Sequence, residues 1–345
     1  MPISQWRKRL APIGVVIAWG SAHAQSGWEM LKPETTASFR GLSVVNDRVV
    51  WASGTRGTVI HTTDGGDTWR VDSIPGGAAF DLRAIDARSD QVALVAATAG
   101  RIWRTADGGR SWTLTYQSPD TSMFLDAITF RDDLNGMALG DPMEGRFVIL
   151  VTTDGGATWA MAPEASRPAA ADDEAAFAAS GTSLVTGGSR YAWLGTGGSV
   201  SRLFRTTDAG ATWTAAPSAI PPRAGSGGVF SVAFTGALHG VVVGGDYERP
   251  DSARGTAAYT SDGGVNWTAA SRFPRGYRSG VAMRRVDEEH LIAVAVGTTG
   301  SDVSRDGGMT WSPLDDAAFN AVQFAPSGVA FAVGARGRVA RIRIP

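Results

Sequence analysis

The chain has 345 residues and a formal charge of −1, from 32 basic and 33 acidic side chains, so it carries no broad electropositive footprint for nucleic acid. It contains no cysteine, which excludes a structural disulfide, thiolate catalysis and cysteine-bound metal. Gly (44) and Trp (12) are abundant, and strong helical periodicity is missing beyond the first thirty residues; this composition suits an all-β protein with many tight turns.

The N-terminus has the form of a targeting segment. Arg7, Lys8 and Arg9 precede an apolar run over 10–19, followed by the small-x-small sequence Ala22-His23-Ala24. This pattern predicts a secretory signal peptide over 1–24, cut after Ala24, and a single domain over 25–345. The apolar run is short for a membrane span, so no stable span is expected after cleavage. Removal of Arg7, Lys8 and Arg9 leaves 29 basic against 33 acidic residues. Export without cysteine implies a periplasmic or secreted protein whose stability rests on its core.

From there on, one motif organises the chain. Thr62-Thr63-Asp64-Gly65-Gly66-Asp67-Thr68-Trp69 recurs at 105–112, 152–159, 206–213, 260–267 and 304–311. The aspartates Asp64, Asp107, Asp154, Asp208, Asp262 and Asp306 are 43, 47, 54, 54 and 44 residues apart. Self-similarity at this period indicates a propeller or an array. Each copy sits in the same frame of four short strands, which in the third unit are predicted over 124–130, 136–140, 147–152 and 158–161. Four antiparallel strands make one blade. The blades are predicted over 38–75, 80–119, 123–163, 175–217, 227–271 and 276–315.

A seventh unit supplies strands over 319–324, 329–333 and 338–342 but lacks a motif and an outer strand. The Trp28-to-Pro33 segment has the pattern of the outer strands at Trp69–Pro75 and Trp112–Pro119, and is predicted to complete the last blade. The fold expected is thus an all-β, seven-bladed propeller closed by strands from both ends, which hides the sheet edges. Asp-Gly-Gly allows the positive φ values of a tight turn, and the carboxylate can accept backbone N–H groups within it. The six aspartates are therefore assigned to structure, with the Trp packed between sheets as an apolar anchor.

Ser/Thr-x-Asp-Gly-Gly-x-Thr-Trp is the Asp-box, or bacterial neuraminidase repeat. Over roughly 27–345 the chain resembles seven-bladed propellers related to the photosystem II stability and assembly factor. That resemblance implies an assembly role and a protein partner, here in the cell envelope. Sialidases share the box; their resemblance implies a six-bladed ring with an arginine triad, a tyrosine nucleophile and an acidic residue, and a glycan as ligand.

The box hairpins and the turns between first and second strands should lie on one face, and the second-to-third-strand loops and blade connections on the other. The second face is the expected site. Aligned innermost strands place Arg40, Arg83, Asp126, Ser180, Ser231, Ser279 and Asn320 in a ring at the channel mouth. Two arginines beside an aspartate suit an anion or a carboxylate. The neighbouring loops add Arg56, Arg101 and Arg336, with insertions that contribute Asp141 and Arg146, and Asp246 and Arg249. The connections at 172–174, 221–223 and 275–278 are expected to form a mobile rim. For a sialidase, Tyr247 and Tyr277 are the tyrosines on this face. His61, His239 and His290 make neither a zinc triad nor a nucleophile–histidine pair, and Gly195-Thr-Gly-Gly198 lacks the dinucleotide fingerprint, so no metal and no cofactor is expected. A non-catalytic binding module is the leading reading and a sialidase-like hydrolase the alternative.

Overall fold

The computed structural model describes residues 27–344. The signal peptide expected over 1–24 lies outside them. Seven antiparallel sheets form the ring, with blades over 39–73, 82–117, 125–161, 184–217, 227–269 and 280–315, and the last built from both ends of the chain. In the third blade the strands are Leu125–Phe130, Gly136–Met143, Arg146–Thr152 and Ala160–Met161. Second strands such as Val50–Gly54 and Ala93–Ala97 are buried at every residue. Both their faces are covered by neighbouring blades, so they read as continuous small-apolar runs. Outer strands such as Thr113–Gln117 are largely exposed and polar.

Ring closure follows the predicted route. Glu29–Leu31 pairs antiparallel with Val339–Arg343, which completes a sheet with Val329–Val333 and Ala321–Phe324. Each box Trp from the second blade onward packs against a cluster shared with the preceding blade, as Trp112 does with Trp51. Trp28 takes that position in the seventh blade, among Ile292 and Val294 of the sixth and Ala332 and Ile342 of its own. Its ring lies 5.0 Å from that of Phe319, and its Nε1 donates to Ser301 Oγ at 2.9 Å.

The boxes are hairpin fasteners. Asp64 Oδ1 accepts the Thr68 N–H at 2.9 Å and the Thr62 hydroxyl at 2.7 Å, and the Gly66 N–H donates to Thr62 Oγ1 at 3.1 Å. Gly65 and Gly66 have φ of 83° and 99°, a conformation that suits residues lacking Cβ. Gly65, Gly108, Gly155 and Gly263 each donate a backbone N–H to the turn between the first two strands of their own blade. Boxes and turns therefore share one face, as expected.

Neighbouring blades are also stitched around the channel by hydrogen bonds. Gln323 Oε1, Ser43 Oγ and Asp86 Oδ2 accept the backbone N–H groups of Val44, Ala87 and Phe130 at 2.9, 2.9 and 3.0 Å. Thr129–Thr186, Thr182–Ser231, Ser231–Val281 and Ser279–Asn320 continue the series. Polar side chains on inner strands are thus consumed by structure as well as offered to the channel.

Three expectations need correction. The fourth blade begins at Leu184, not near 175. Instead Glu174–Ala175 pairs with Gly197–Gly198, and Gly197 with Gly228, which extends the fifth sheet to six strands. This requires glycine at 197, where a Cβ would sit 2.5 Å from the Gly227 carbonyl oxygen. Second, two of the blade connections are clamped rather than loose. Glu174, with its side chain fully buried, accepts Arg202 Nε at 3.0 Å, and the equally buried Arg278 donates Nε to Asp302 Oδ2 at 2.7 Å. Third, Ser231 and Ser180 do not align with Arg40. Register shifts fall at Phe39/Gly41, Leu82/Ala84, Leu125/Ala127 and Val229/Ser231, so the residue equivalent to Arg40, Arg83 and Asp126 in the fifth blade is Phe230. Ser180 precedes its strand, bonded at 2.6 Å to Thr182.

Candidate functional site

A bulge at the start of an inner strand turns one side chain toward the channel mouth. In three consecutive blades that residue is Arg40, Arg83 or Asp126, and in the fifth it is Phe230. These four line a cavity of about 450 Å³ together with Asp141, Phe124, Tyr247, Tyr277, Ser279, Thr298, Asn320 and the 176–179 segment. Six of the expected residues, Arg40, Arg83, Asp126, Asp141, Ser279 and Asn320, therefore meet in one pocket.

The six other charged residues expected from the loops lie outside its lining. Arg56 and Arg336 are exposed at loop tips with φ of 59°. The Arg101 guanidinium lies 4.4 Å from the Phe80 ring centroid, over its face. Arg146 pairs with Glu164 at 3.2 Å and donates to the Arg167 carbonyl at 3.1 Å. Asp246 is buried against Arg223 at 2.7 Å, with Arg249 at 4.0 Å. The two insertions thus serve different ends: Asp141 reaches the pocket, whereas Asp246 holds its own loop.

The charges in the pocket are unevenly matched. Among the described residues Arg40 makes no hydrogen bond and no ion pair. Burial, then the neighbouring Arg83 charge, lowers its pKa, yet guanidinium remains protonated throughout the physiological range. Arg83 reaches Asp81 at 3.2 Å, lies over the Phe124 ring at 5.4 Å and leaves its Nε without a partner. Asp126 is 1% exposed, and its Oδ2 also has no partner among the described residues. Burial first and the Asp141 charge second push the Asp126 carboxyl well above the usual carboxylate range. Burial raises Asp141 to about 6 against a hydrogen bond from the Ala176 N–H, 3.2 Å long. The pocket therefore combines two guanidinium groups with two carboxyls that burial pushes upward, Asp141 to about 6.

The same lining includes an aromatic wall. Phe177 stacks on Phe230 at 3.8 Å, and the Tyr277 ring meets Phe230 edge-on at 4.8 Å. Tyr247, 47% exposed, approaches from the rim at 6.2 Å, and its hydroxyl donates to the Gly225 carbonyl at 3.1 Å. Burial raises the Tyr277 phenol, so it stays a neutral donor. Sequence reasoning placed Tyr247 and Tyr277 on this face but missed Phe177 and Phe230. The bulge register would have found Phe230; Phe177 lies in an aperiodic connection that carries no such signal.

The family model described as "Photosynthesis system II assembly factor YCF48" matches residues 20–121. No curated protein sequence matches the chain. Among solved structures, "YCF48 bound to D1 peptide" superposes with a TM-score of 0.65 at 18% identity, covering 92% of this chain and 96% of that one. YCF48 from Cyanidioschyzon merolae gives 0.64 at 18% identity, covering 92% and 99%. A GH74 xyloglucanase from Xanthomonas campestris gives 0.63 at 18% identity, covering 92% of this chain but 53% of that one. At these identities the structural likeness establishes the fold, and the repeat motif with the matched segment carries the family likeness. The chain is an Asp-box repeat β-propeller that resembles the photosystem II assembly-factor family.

Proposed function

We propose that the protein is a non-catalytic docking module that captures an acidic segment of a protein partner on its arginine-bearing channel face. The observation that carries this reading is Arg40, a half-buried guanidinium that lines the pocket and makes no ion pair among the described residues. A cation held without a partner costs solvation free energy unless a ligand supplies the counter-charge. YCF48, a propeller of the same fold, is known bound to a D1 peptide, which lends support from a distant relative. The hydrolase alternative fits less well: the lining carries two arginines among the described residues, whereas a sialidase resemblance implies an arginine triad. Export belongs to the same proposal, with the partner in the cell envelope and the chain periplasmic or secreted; a mature N-terminus at Gln25, found by mass spectrometry of envelope fractions, would support it.

The test is fluorescence binding of acidic, neutral and basic decapeptides, run beside an envelope pull-down and a glycan-hydrolysis screen. Selective binding of the acidic peptide, weakened at least about tenfold by Arg40→Ala with Arg83→Ala and falling with added salt, is expected. Equal binding of all three peptides, or turnover of a glycan, would overturn the reading.

A further inference from the structure

The pocket beneath the docking face is more selective than an arginine patch. It is lined by the guanidinium groups of Arg40 and Arg83, the carboxyls of Asp126 and Asp141, and the aromatic group of Phe230 and Tyr277. Two polar atoms here are buried without a partner among the described residues, Asp126 Oδ2 and Arg83 Nε. A buried group left unbonded costs on the order of 1–3 kcal/mol, so both mark where a ligand's polar atoms fit. A cation-bearing ligand would meet Arg40 and Arg83. An anion meets them favourably but also faces Asp126 and Asp141, and is accommodated only if those carboxyls donate rather than repel.

We infer that this pocket takes one carboxylate with an aromatic group beside it, and that binding draws one proton from solvent onto the Asp126–Asp141 pair. In the complex the ligand carboxylate accepts from the guanidinium groups and from the protonated acid, while its ring rests on the aromatic wall. The proton comes from water and no covalent bond changes. The charged and titratable groups that share the cavity with the pair are Arg83, bonded to Asp81, and Arg40, Tyr247 and Tyr277. Burial keeps the Tyr277 phenol neutral in this range and guanidinium does not release its proton, so the carboxyl pair takes up the proton. A volume of about 450 Å³ admits a single such group rather than a folded surface. The chemistry is shared by a free aromatic acid and by the C-terminal residue of a peptide chain.

This inference deepens the docking proposal and rests on the same face. Its test is isothermal titration of the full chain with N-acetyl-phenylalanine, with a hexapeptide ending in a free phenylalanine carboxylate, and with that peptide's carboxamide. Runs at pH 5.5 and 7.5 use two buffers of different ionisation heat, which count protons directly. The expected result is binding of one or both carboxylates, at least about fivefold tighter at pH 5.5, with net proton uptake at pH 7.5 and loss of affinity for the carboxamide. Binding of the free acid alone assigns the pocket to a small molecule; binding of the peptide as well assigns it to a chain terminus. The isosteric double variant Asp126→Asn, Asp141→Asn should fold, bind and lose the pH dependence. Proton uptake of zero, equal binding of the carboxamide, or an unchanged pH dependence in the double variant would overturn the inference. If the acidic decapeptide binds while both carboxylate probes fail, the docking proposal stands and this one falls; if none binds, both fall.

Discussion

Glu29 and Arg341 sit directly opposite each other across the seam that closes the ring, with Arg341 Nε 2.8 Å from Glu29 Oε2. The pair shows where the two ends of the chain meet, but not what holds them. Both side chains are partly exposed, and such an ion pair contributes less than about 1 kcal/mol. The seam is secured instead by Trp28, buried between two blades with its indole N–H bonded. Trp28→Ala should therefore cost about 3–5 kcal/mol in urea unfolding, and Glu29→Gln less than about 1 kcal/mol. Similar losses for both would assign closure to the ion pair.

The box aspartates give the protein an acid limit. Hydrogen bonds from the threonine hydroxyl and backbone N–H of the same hairpin hold Asp154 and Asp208 at about 2. A carboxylate with its folded pKa depressed contributes stability that is present above its unfolded value and lost as pH falls toward the folded one. Unfolding followed by circular dichroism should show this contribution constant above about pH 5 and lost between about pH 4 and 2. Asp208→Asn should be less stable at pH 7 and show a shallower loss over that acid window.

His61 acts in a different pH window. Its ring stacks on Trp51 at 3.9 Å, its Nε2 is buried without a partner, and burial lowers its pKa below 6.5. The unfolded chain thus binds this proton before the folded one does, so the contribution of His61 to stability declines as pH falls through about 6.5. Buried carboxyls such as Asp86 titrate nearby with the opposite sign, so the readout is the difference between wild type and His61→Gln. That difference should narrow steadily from pH 7.5 to 5.5; a constant difference would place the His61 titration outside this window.

Asp302 is the acid that neutralises the fully buried Arg278, and it also pairs with Arg275 at 3.3 Å. Asp302→Ala strands the Arg278 charge and should cost about 3–5 kcal/mol. Arg278→Met with Asp302→Leu removes both charges and should recover most of that loss in thermal melts. A double variant no better than the single would make the connection depend on the hydrogen bonds themselves.

Much of the ring follows from local chemistry. Asp-Gly-Gly turns, the Thr and Trp flanking them, and short apolar runs act within one hairpin, so their spacing counts the blades without any knowledge of packing. The unpaired seventh unit and the orphan Trp28 segment likewise identified each other as complementary strands. The face opposite the boxes follows from the same alternation of turns.

The pocket depends on relationships of another kind. Whether an inner-strand side chain faces the channel is set by a one-residue bulge, and a slip of one exchanges Ser231, a hydrogen-bonded stitch, for Phe230, an aromatic wall. Phe177 reaches that wall only because Gly197 lets the preceding connection join the fifth sheet. Arg40 and Arg101 look alike as residues, yet one is left facing a cavity and the other lies on Phe80. Strand identity is a short-range property of hydrogen bonding and side-chain alternation, legible along the chain. Which polar groups remain unpaired depends on partners brought from distant blades, and that pairing arises only when the ring closes.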